Sequence, residues 1–482
     1  MSTMHTSAQN RLVVFSFIVW LLSVNSAYAN LSSLAKNDAY PMFSSLDPAM
    51  FLLGYEKLKY RNIEWANQKG RYASLAISPF AQNADKGKPI EGTTTIDGLC
   101  IPEIITSPET DGCNDALGDL TGRTGMIALI YGALPEGTNQ WPTTLQTARE
   151  QLFPDQIMTD PNAVIDDPNV IDPTQMFGYF SFPLKYRKRG VRFDIYLQFW
   201  DDIGISIQTG VSSIRQTVQQ RINLTTATEF MGLSGDEVNT YLMKPFEVIA
   251  DEIGLDVCNF QQNSIEEIRL NLYWRHAYEV NKTNYDFPYL LIIPYLEVSG
   301  STSPGKKKNP NKFFGVPFGN NEHPSVGFTG GMDFDFIESI EVGGEVGFTH
   351  FFDKSFSDFR VPTNKFQTTI FPFTTDVKIS PGNNWHFAGK ISAFHFVQNL
   401  SMYFQYIVVE HKNDDIKLKK NDPAFLPKVL EKTTGWKTKI ANIGFNYDIS
   451  PNTLLGFLWQ APLSQRNTYR STTILFTFNA TF

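Results

Sequence analysis

The chain has 482 residues, a formal net charge of −8 at pH 7 and an isoelectric point near 5.5. An acidic chain lacks the basic surface that nucleic-acid binding requires, so this class of partner is excluded. Aromatic residues make up 14% of the chain, and phenylalanine alone occurs 39 times. So many rings need either a soluble core or a lipid-facing surface.

The N-terminal residues have the pattern of a secretory signal peptide. Arg11 precedes an apolar run at 12–24, and Ala27-Tyr28-Ala29 fits the small-x-small pattern of a cleavage site. We predict that residues 1–29 are removed and that residues 30–70 form an N-terminal periplasmic segment. An uncleaved anchor is the competing interpretation, but the run is shorter than the roughly 20 apolar residues that a spanning helix needs.

Alternation of apolar and polar residues dominates the second half of the chain. In residues 326–336 the apolar side chains fall on one strand face, and glycine, threonine and aspartate fall on the other. After a short turn, residues 340–349 repeat the pattern with Glu341 and Glu345 on the polar face. In a soluble sheet the apolar face packs on a core, whereas in a membrane barrel it meets lipid and the polar face lines the lumen.

Thirteen candidate strands follow Met176, and most have ten residues or more, whereas strands of globular proteins cluster at about 5–6. A tilted strand needs roughly 9–11 residues to cross a bilayer. We therefore predict an all-β fold, a transmembrane antiparallel β-barrel, with a soluble β-sandwich as the competing interpretation and a parallel α/β fold excluded. The candidates are residues 177–187, 191–200, 203–212, 265–279, 288–299, 325–337, 340–351, 366–379, 385–397, 400–410, 439–449, 453–461 and 471–482.

Loop lengths refine the strand count, because membrane barrels have short periplasmic turns and longer outer loops. Thirteen strands place the long stretches on the periplasmic side, whereas one strand fewer between about 380 and 438 moves them outside. Twelve strands after Met176 and two more, at 71–81 and 124–134, bring the predicted barrel to about fourteen strands (range 12–16) within residues 71–482. The predicted inner turns are 201–202, 338–339 and 380–384.

Two stretches of the chain are predicted insertions. The proline-rich stretch 135–175 is assigned to the lumen or the periplasm. In 213–264, Ser234 and Glu237 form a capping box ahead of a helical run to Leu255. This insertion either constricts the pore or caps the outer rim.

The last twelve residues, STTILFTFNATF, place Ile474, Phe476, Phe478 and Phe482 on one face. This segment resembles the terminal strand of bacterial outer-membrane β-barrel proteins of the porin-like class. The resemblance implies an outer-membrane location and recognition by the barrel-assembly machinery, with Phe478 and Phe482 as the assembly signal.

The chain has no motif of a hydrolase, a metalloenzyme or a nucleotide-binding site. Residues 300–306 match the start of a P-loop, but Lys307 stands where serine or threonine should hold magnesium. We interpret Lys306, Lys307 and Lys308 as a solvated loop tip able to touch lipopolysaccharide phosphates. We expect no enzyme activity, catalytic residue, cofactor or metal, while the partners are outer-membrane lipid, the assembly machinery and, as an open alternative, further copies of the chain.

Cysteine use fits an exported protein. Cys100 and Cys113 are close enough in sequence to form a disulfide in an oxidising compartment, and Cys258 is predicted to be buried.

Charged residues at inward positions of the candidate strands are the candidate site. Four acids fall on one hairpin, and basic residues come from strands on either side. The predicted pore-lining residues are Arg192, Arg269, Arg275, Asp333, Asp335, Glu341, Glu345, Lys378 and Lys390. Charged linings set ion selectivity. We therefore predict a passive pore for small hydrophilic solutes or ions, with a plugged barrel acting as a surface or adhesion protein as the alternative.

Overall fold

The computed structural model describes residues 73–84, 87–88, 93–96, 99–102, 124–153 and 178–482. The last range has short gaps at 183, 201, 220, 224, 226–228, 231–232, 283–287, 303, 337–339, 365–366, 368, 398, 433, 451, 467 and 470. The predicted signal peptide, the segment 30–70 and Cys113 lie outside the described residues.

A single antiparallel sheet closes on itself to form a barrel wall. Fourteen strand segments belong to it, and three of them lie end to end, which leaves twelve positions around the ring. In chain order the strands are β1 (Ala73–Ala84), β2 (Leu184–Trp200), β3 (Ile203–Val218), β4 (the segments Phe260–Ile265, Ile268–Arg275 and Tyr278–Lys282), β5 (Pro288–Thr302), β6 (Ser325–Phe336), β7 (Ile340–Phe351), β8 (Asn384–Val397), β9 (Leu400–His411), β10 (Trp436–Ser450), β11 (Thr453–Arg466) and β12 (Thr472–Thr481).

Strand β1 closes the ring, because it pairs with β2 on one side and with β12 on the other. Ala73 lies opposite Leu197, and Ser74 lies opposite Thr481. The backbones of Ala73 and Phe482 exchange two hydrogen bonds, of 3.4 and 2.9 Å. Closure satisfies the strand edges that an open sheet would expose.

The two ends of the barrel differ in their connections. At one end, turns of two to five residues join β2 to β3, β4 to β5, β6 to β7, β8 to β9 and β10 to β11. The other end carries the long connections 85–183, 219–259, 303–324, 352–383 and 412–435, together with a short one, 467–471, between β11 and β12. By the rule that periplasmic turns are short, we name these the periplasmic end and the outer end. Ala73 and Phe482 both lie at the periplasmic end.

The structure corrects three predicted strands. Candidates 177–187 and 191–200 are parts of the single strand β2, apart from a short strand at Tyr179–Ser181. Candidate 366–379 is not in the wall, and the strand there, Thr374–Ser380, pairs with Lys354–Arg360 and Asp415–Leu418 above the outer end. Residues 380–384 are therefore not an inner turn. The loop lengths correctly indicated a surplus strand, but they placed it between about 380 and 438, whereas it lies before that interval.

The predicted strand 124–134 is also wrong. It consists of a two-residue strand, Thr124–Gly125, and a 3-10 helix, Ile127–Ile130, which is buried outside the wall. The twelve strand positions of the wall lie within the predicted range of 12–16 strands. The predicted number of about fourteen equals the number of strand segments in the sheet.

The connections at the outer end contain the helices. They are α1 (Thr143–Leu152), α2 (Gly235–Val238), which continues into a π-helix at Asn239–Met243, α3 (Phe246–Glu252) and α4 (Pro427–Glu431). The predicted capping box is present, since the Glu237 backbone N–H donates to the Ser234 hydroxyl over 3.2 Å and the Ser234 backbone N–H donates to the Glu237 carboxylate over 3.1 Å. Within the described part of the chain, no helix is long and apolar enough to cross a membrane.

Side chains alternate around the wall as the sequence predicts. In β6, Val326, Phe328, Met332, Phe334 and Phe336 point outward and are exposed, whereas Asp333 and Asp335 point inward and are buried. In β12, Ile474, Phe476, Phe478 and Phe482 are likewise exposed on the outside. The outside of the barrel therefore carries an apolar band that fits lipid.

Phe328→Arg is expected to destabilise the barrel by roughly 2–4 kcal/mol, because the charge would face hydrocarbon. Thr329→Arg, one residue along on the inward face, should cost much less. Urea unfolding of both variants in phospholipid vesicles measures the difference, and equal sensitivity on the two faces would contradict a lipid-facing band.

Candidate functional site

The inward face of the wall is polar around the whole ring, because every strand contributes at least one buried polar side chain. The charged members are Lys188, Arg192, Asp194, Glu266, Glu267, Arg275, Glu297, Asp333, Asp335, Glu341, Glu345 and Lys390. Arg269 also points inward and is partly buried. Buried charges are costly unless they are paired, so the arrangement of these groups decides what the lumen can do.

Strands β6 and β7 form a hairpin that carries Asp333, Asp335, Glu341 and Glu345 on its inward face, and we call it the acidic hairpin. Lys390 on β8 forms ion pairs with one acid from each of its two strands. Its ammonium lies 2.5 Å from the Glu341 carboxylate and 3.3 Å from that of Asp333. Arg275, on β4, approaches Asp333 from the opposite side at 3.8 Å. The Glu345 carboxylate accepts a hydrogen bond of 2.8 Å from the Tyr295 hydroxyl. Six of the predicted residues therefore lie in one region of the lumen: Arg275, Asp333, Asp335, Glu341, Glu345 and Lys390.

Two inward-facing arginines of β2 and β4, Arg192 and Arg269, have acids beside them. The guanidinium of Arg192 is 2.7 Å from Asp194, and that of Arg269 is 2.9 Å from Glu267. Close pairing weakens the field that these bases exert across the lumen.

Lys188 and Glu266 form a further buried pair, at 2.7 Å, that the sequence analysis missed. Alternation within an unbroken β2 would have found Lys188. Glu266 and Glu267 sit at the break between two segments of β4, where both side chains are buried and alternation fails.

Lys378 is the one predicted pore-lining residue that lies outside the wall. It is part of the short strand Thr374–Ser380, is about half exposed and pairs with Asp353. Its assignment was wrong because residues 366–379 are not a barrel strand.

Inward glycines hold the large side chains of neighbouring strands against the wall. A Cβ on Gly331 would lie 2.2 Å from the Tyr295 hydroxyl, and one on Gly444 would lie 2.1 Å from the Tyr403 ring. On Gly347 it would meet the His386 ring at 1.9 Å. These glycines therefore make room for the side chains of neighbouring strands.

Gly444→Ala is expected to destabilise the barrel by about 1–3 kcal/mol, because Tyr403 has to move. Gly300→Ala is the matched control, since a Cβ there meets nothing within 4 Å, and it should change stability by less than about 0.5 kcal/mol. Urea midpoints of the two variants in vesicles compare the costs. Equal values would show that Tyr403 does not occupy the Gly444 position.

A folded cap covers the outer end of the barrel. We define it as the described residues of the long outer connections. One core in it joins α1, α3 and the loop at 313–318 to inward residues at the outer ends of β2, β3 and β4. Its members include Leu145, Leu152, Phe246, Phe313, Phe318, Leu184, Tyr186, Ile214 and Phe260.

A second core joins the three-stranded outer sheet to the inward faces of β9 and β10. It contains Phe356, Val377, Ile379, Ile407, Val409 and Trp436. The inward face is thus apolar at the outer end, where the cap packs. Residues 135–152 belong to this cap, rather than to the lumen or periplasm as predicted, and residues 219–259 cap the outer rim.

Polar side chains tie the connections of the cap together. The buried Arg360 guanidinium donates to the carbonyls of Ile253 (2.7 Å), Pro310 (3.2 Å) and Phe371 (2.9 Å) and to the Asn311 amide oxygen (2.9 Å). These acceptors come from three connections. Arg360 therefore links three connections of the cap, of which 219–259 and 303–324 also meet at an isolated backbone bridge between Asp256 and Lys312.

Burial shifts the pKa of several groups in the cap. Burial lowers the pKa of Arg149, whose guanidinium lies 5.0 Å from the centre of the Trp141 ring, and raises that of Tyr131. Burial also lowers the pKa of His323, which keeps its imidazole neutral beside the Phe352 carbonyl, 2.8 Å from Nδ1. These shifts follow from packing in a water-poor core.

The remaining sequence candidates lie apart from the lumen. Cys100 is in a short strand, Leu99–Pro102, paired with Thr93–Ile96, and Cys258 is exposed rather than buried. Lys306 and Lys307 are exposed, but Lys308 is buried. The described residues contain no group of three or more histidine, cysteine or acidic side chains able to hold a metal ion.

A closed antiparallel wall, an apolar outward band and a polar inward face are the architecture of bacterial outer-membrane β-barrel proteins, and the chain resembles that class. Among solved structures it is similar to an outer membrane channel from Pseudomonas putida F1, with 9% identity and a TM-score of 0.42, covering 86% of this chain and 96% of that one. It is also similar to the NanC porin, with 7% identity and a TM-score of 0.31, covering 61% of this chain and 93% of that one. A third similar structure is the translocator domain of the autotransporter NalP from Neisseria meningitidis, with 8% identity and a TM-score of 0.33, covering 92% of this chain and 99% of that one. No protein-family model and no curated protein matches the chain.

Proposed function

We propose that this protein is a porin-like channel of the outer membrane that passes small hydrophilic solutes or ions by passive diffusion. The observation that carries the proposal is the polar inward face, to which all twelve strand positions contribute. A polar, charged lining inside an apolar band favours water over lipid along the barrel axis.

The charges of the lining support selective passage. The acidic hairpin concentrates Asp333, Asp335, Glu341 and Glu345 on one side of the lumen, with Lys390 and Arg275 among its neighbours. The lining side chains are almost fully buried, so the lumen is closely filled in this structure and a solute that enters it has to pass close to the lining. A narrow charged passage discriminates by charge more strongly than a wide one, because the solute passes close to the lining.

The second candidate is a barrel whose lumen stays closed and whose cap acts at the cell surface. The observation that favours it is the core shared by the cap and the wall, which includes Tyr186, Ile214 and Phe260. In the channel, by contrast, the cap is a gate or a filter over the outer mouth.

Conductance of the purified full chain in a planar bilayer separates the two functions. A channel gives ohmic steps proportional to salt concentration. Asp333→Asn, Asp335→Asn, Glu341→Gln and Glu345→Gln together should shift the reversal potential in a salt gradient toward anion selectivity, because they remove four acids from the lining. Lys378→Met is the matched control and should leave selectivity unchanged, since Lys378 lies outside the wall.

A variant with residues 233–255 replaced by a short glycine-serine linker completes the test. The deletion stops short of 213–218 and 260–264, because these residues belong to β3 and β4. Absence of conductance from folded wild type and from this variant would reject the channel in favour of the surface protein.

A further inference from the structure

The outward face of the barrel carries a cluster of four basic side chains where β1–β4 reach the outer end. The cluster consists of Lys185, Arg187 and Arg189 on β2 and Arg215 on β3, and all four are exposed. We call it the basic belt. Neither the lumen nor the cap uses these residues.

Strand register places the members of the belt close together. Arg187 lies directly opposite Arg215, and Arg189 lies opposite Ser213. Residues directly opposite each other in an antiparallel pair have Cα atoms roughly 4.5–5.5 Å apart, and like charges in such positions destabilise a sheet. Two arginines that face each other on neighbouring strands are stabilised when an anion lies between their guanidinium groups.

The surroundings of the belt supply no such anion. The outward neighbours on the flanking strands are Ala81 and Asn83 on β1 and Gln261 and Asn263 on β4. The outward positions of β1–β4 in this zone hold no acid among the described residues, and no ion pair links the belt to a described carboxylate. Among the described residues the belt therefore has no anion of its own, and a ligand can supply one.

The position of the belt indicates the kind of anion. Immediately toward the periplasmic end, Val191 lies opposite Val211, and the exposed Ile195 and Val211 continue the apolar band. The belt thus lies where the band ends and the outer surface begins. A ligand that spans this boundary has acyl chains against the valines and an anionic headgroup at the arginines.

We propose that the basic belt binds the phosphate groups of a phosphorylated lipid of the outer leaflet. Guanidinium groups recognise phosphate through paired N–H donors, and two of them on facing strands hold one phosphate from both sides. Asn83 and Gln261 add neutral donors at the edges of the same surface. The proposal is independent of conductance, because the belt lies on the outside of the wall.

The test uses the full chain in detergent micelles, with diphosphoryl lipid A as the probe and native mass spectrometry to count bound lipid. Arg187→Gln, Arg189→Gln and Arg215→Gln together should weaken binding at least tenfold. The matched control, Lys244→Gln, Lys419→Gln and Lys432→Gln, removes the same charge from exposed positions of the cap and should change affinity less than twofold.

Two further measurements on the wild type hold even if the arginine variant does not fold. Fully dephosphorylated lipid A should bind at least tenfold more weakly, and raising sodium chloride from 50 to 300 mM should lower the affinity for the diphosphoryl form severalfold. Equal binding of the two lipid forms, or equal weakening by both triple variants, would overturn the proposal. Inorganic phosphate displacing the lipid at equimolar concentration would assign the belt to free phosphate instead.

Discussion

Arg360→Met is expected to loosen the outer cap by about 3 kcal/mol or more while leaving the wall folded. The substitution keeps an unbranched apolar stem but removes every donor, so the carbonyls of Ile253, Pro310 and Phe371 lose a charged partner in a buried place. An unsatisfied buried polar group costs about 1–3 kcal/mol. Three such groups would open the connections 219–259 and 303–324.

Hydrogen exchange measures this effect segment by segment. Amides of α1 and α3 should exchange about a hundredfold faster in the variant, because each 1.4 kcal/mol corresponds to a factor of ten. Amides of β6 and β7 should keep their protection. Lys420→Met is the control: its pair with Glu136, at 3.0 Å, is exposed to solvent, so its loss should leave exchange in α1 and α3 unchanged. Unchanged exchange in α1 and α3 would show that Arg360 does not hold the cap.

Lys390→Met is expected to destabilise the barrel wall by about 3–5 kcal/mol. It leaves the carboxylates of Asp333 and Glu341 buried without the ammonium that lies between them. Removing one partner of a buried ion pair costs this much because the remaining charge stays out of water. The effect is read as the change in the urea midpoint of the folded barrel in vesicles.

A combined variant separates lost charge balance from lost packing. Glu341→Gln, added to Lys390→Met, removes one acid for the one base lost at nearly constant volume, while Asp333 keeps Arg275 at 3.8 Å, so most of the stability should return. Lys378→Met, at an exposed pair with Asp353, should cost less than about 1 kcal/mol. If the combined variant is no more stable than Lys390→Met, the ion pairs do not stabilise the wall.

The wall was largely predictable from the sequence because side-chain alternation is a local property of a strand. For the hairpin 326–349 it predicted correctly which residues face lipid and which face inward. Alternation also placed Phe478 and Phe482 on the outward face of the last strand. In each case the two faces differ strongly in polarity, so the pattern has one interpretation.

The cap was not predictable in the same way. In residues 374–380 the pattern shows correctly that one face is buried, but Val377 and Ile379 pack on the cap core rather than face lipid. An apolar face on a strand indicates that the face is covered, but it does not distinguish contact with lipid from packing against another part of the protein. The apolar run at Met126–Tyr131 is a buried helical turn, and a short run of this kind does not distinguish a strand from a helix. The role of Arg360 has no counterpart in the sequence pattern, because most of its hydrogen-bond partners are backbone carbonyls of segments far away in the chain.

The pairing of β1 with β12 imposes an order on folding. The Ser74 hydroxyl donates to the Asn479 amide oxygen, 405 residues later in the chain, so the first strand of the wall has to wait for the last one. Joining ends this far apart costs about 5 kcal/mol of chain entropy. Until β1 and β12 pair, both strands expose unpaired backbone groups at the open edges of the sheet. The aromatic side chains of the outward face are then exposed to water. The unfolded chain is therefore expected to close slowly and to be prone to aggregate until β1 and β12 have paired.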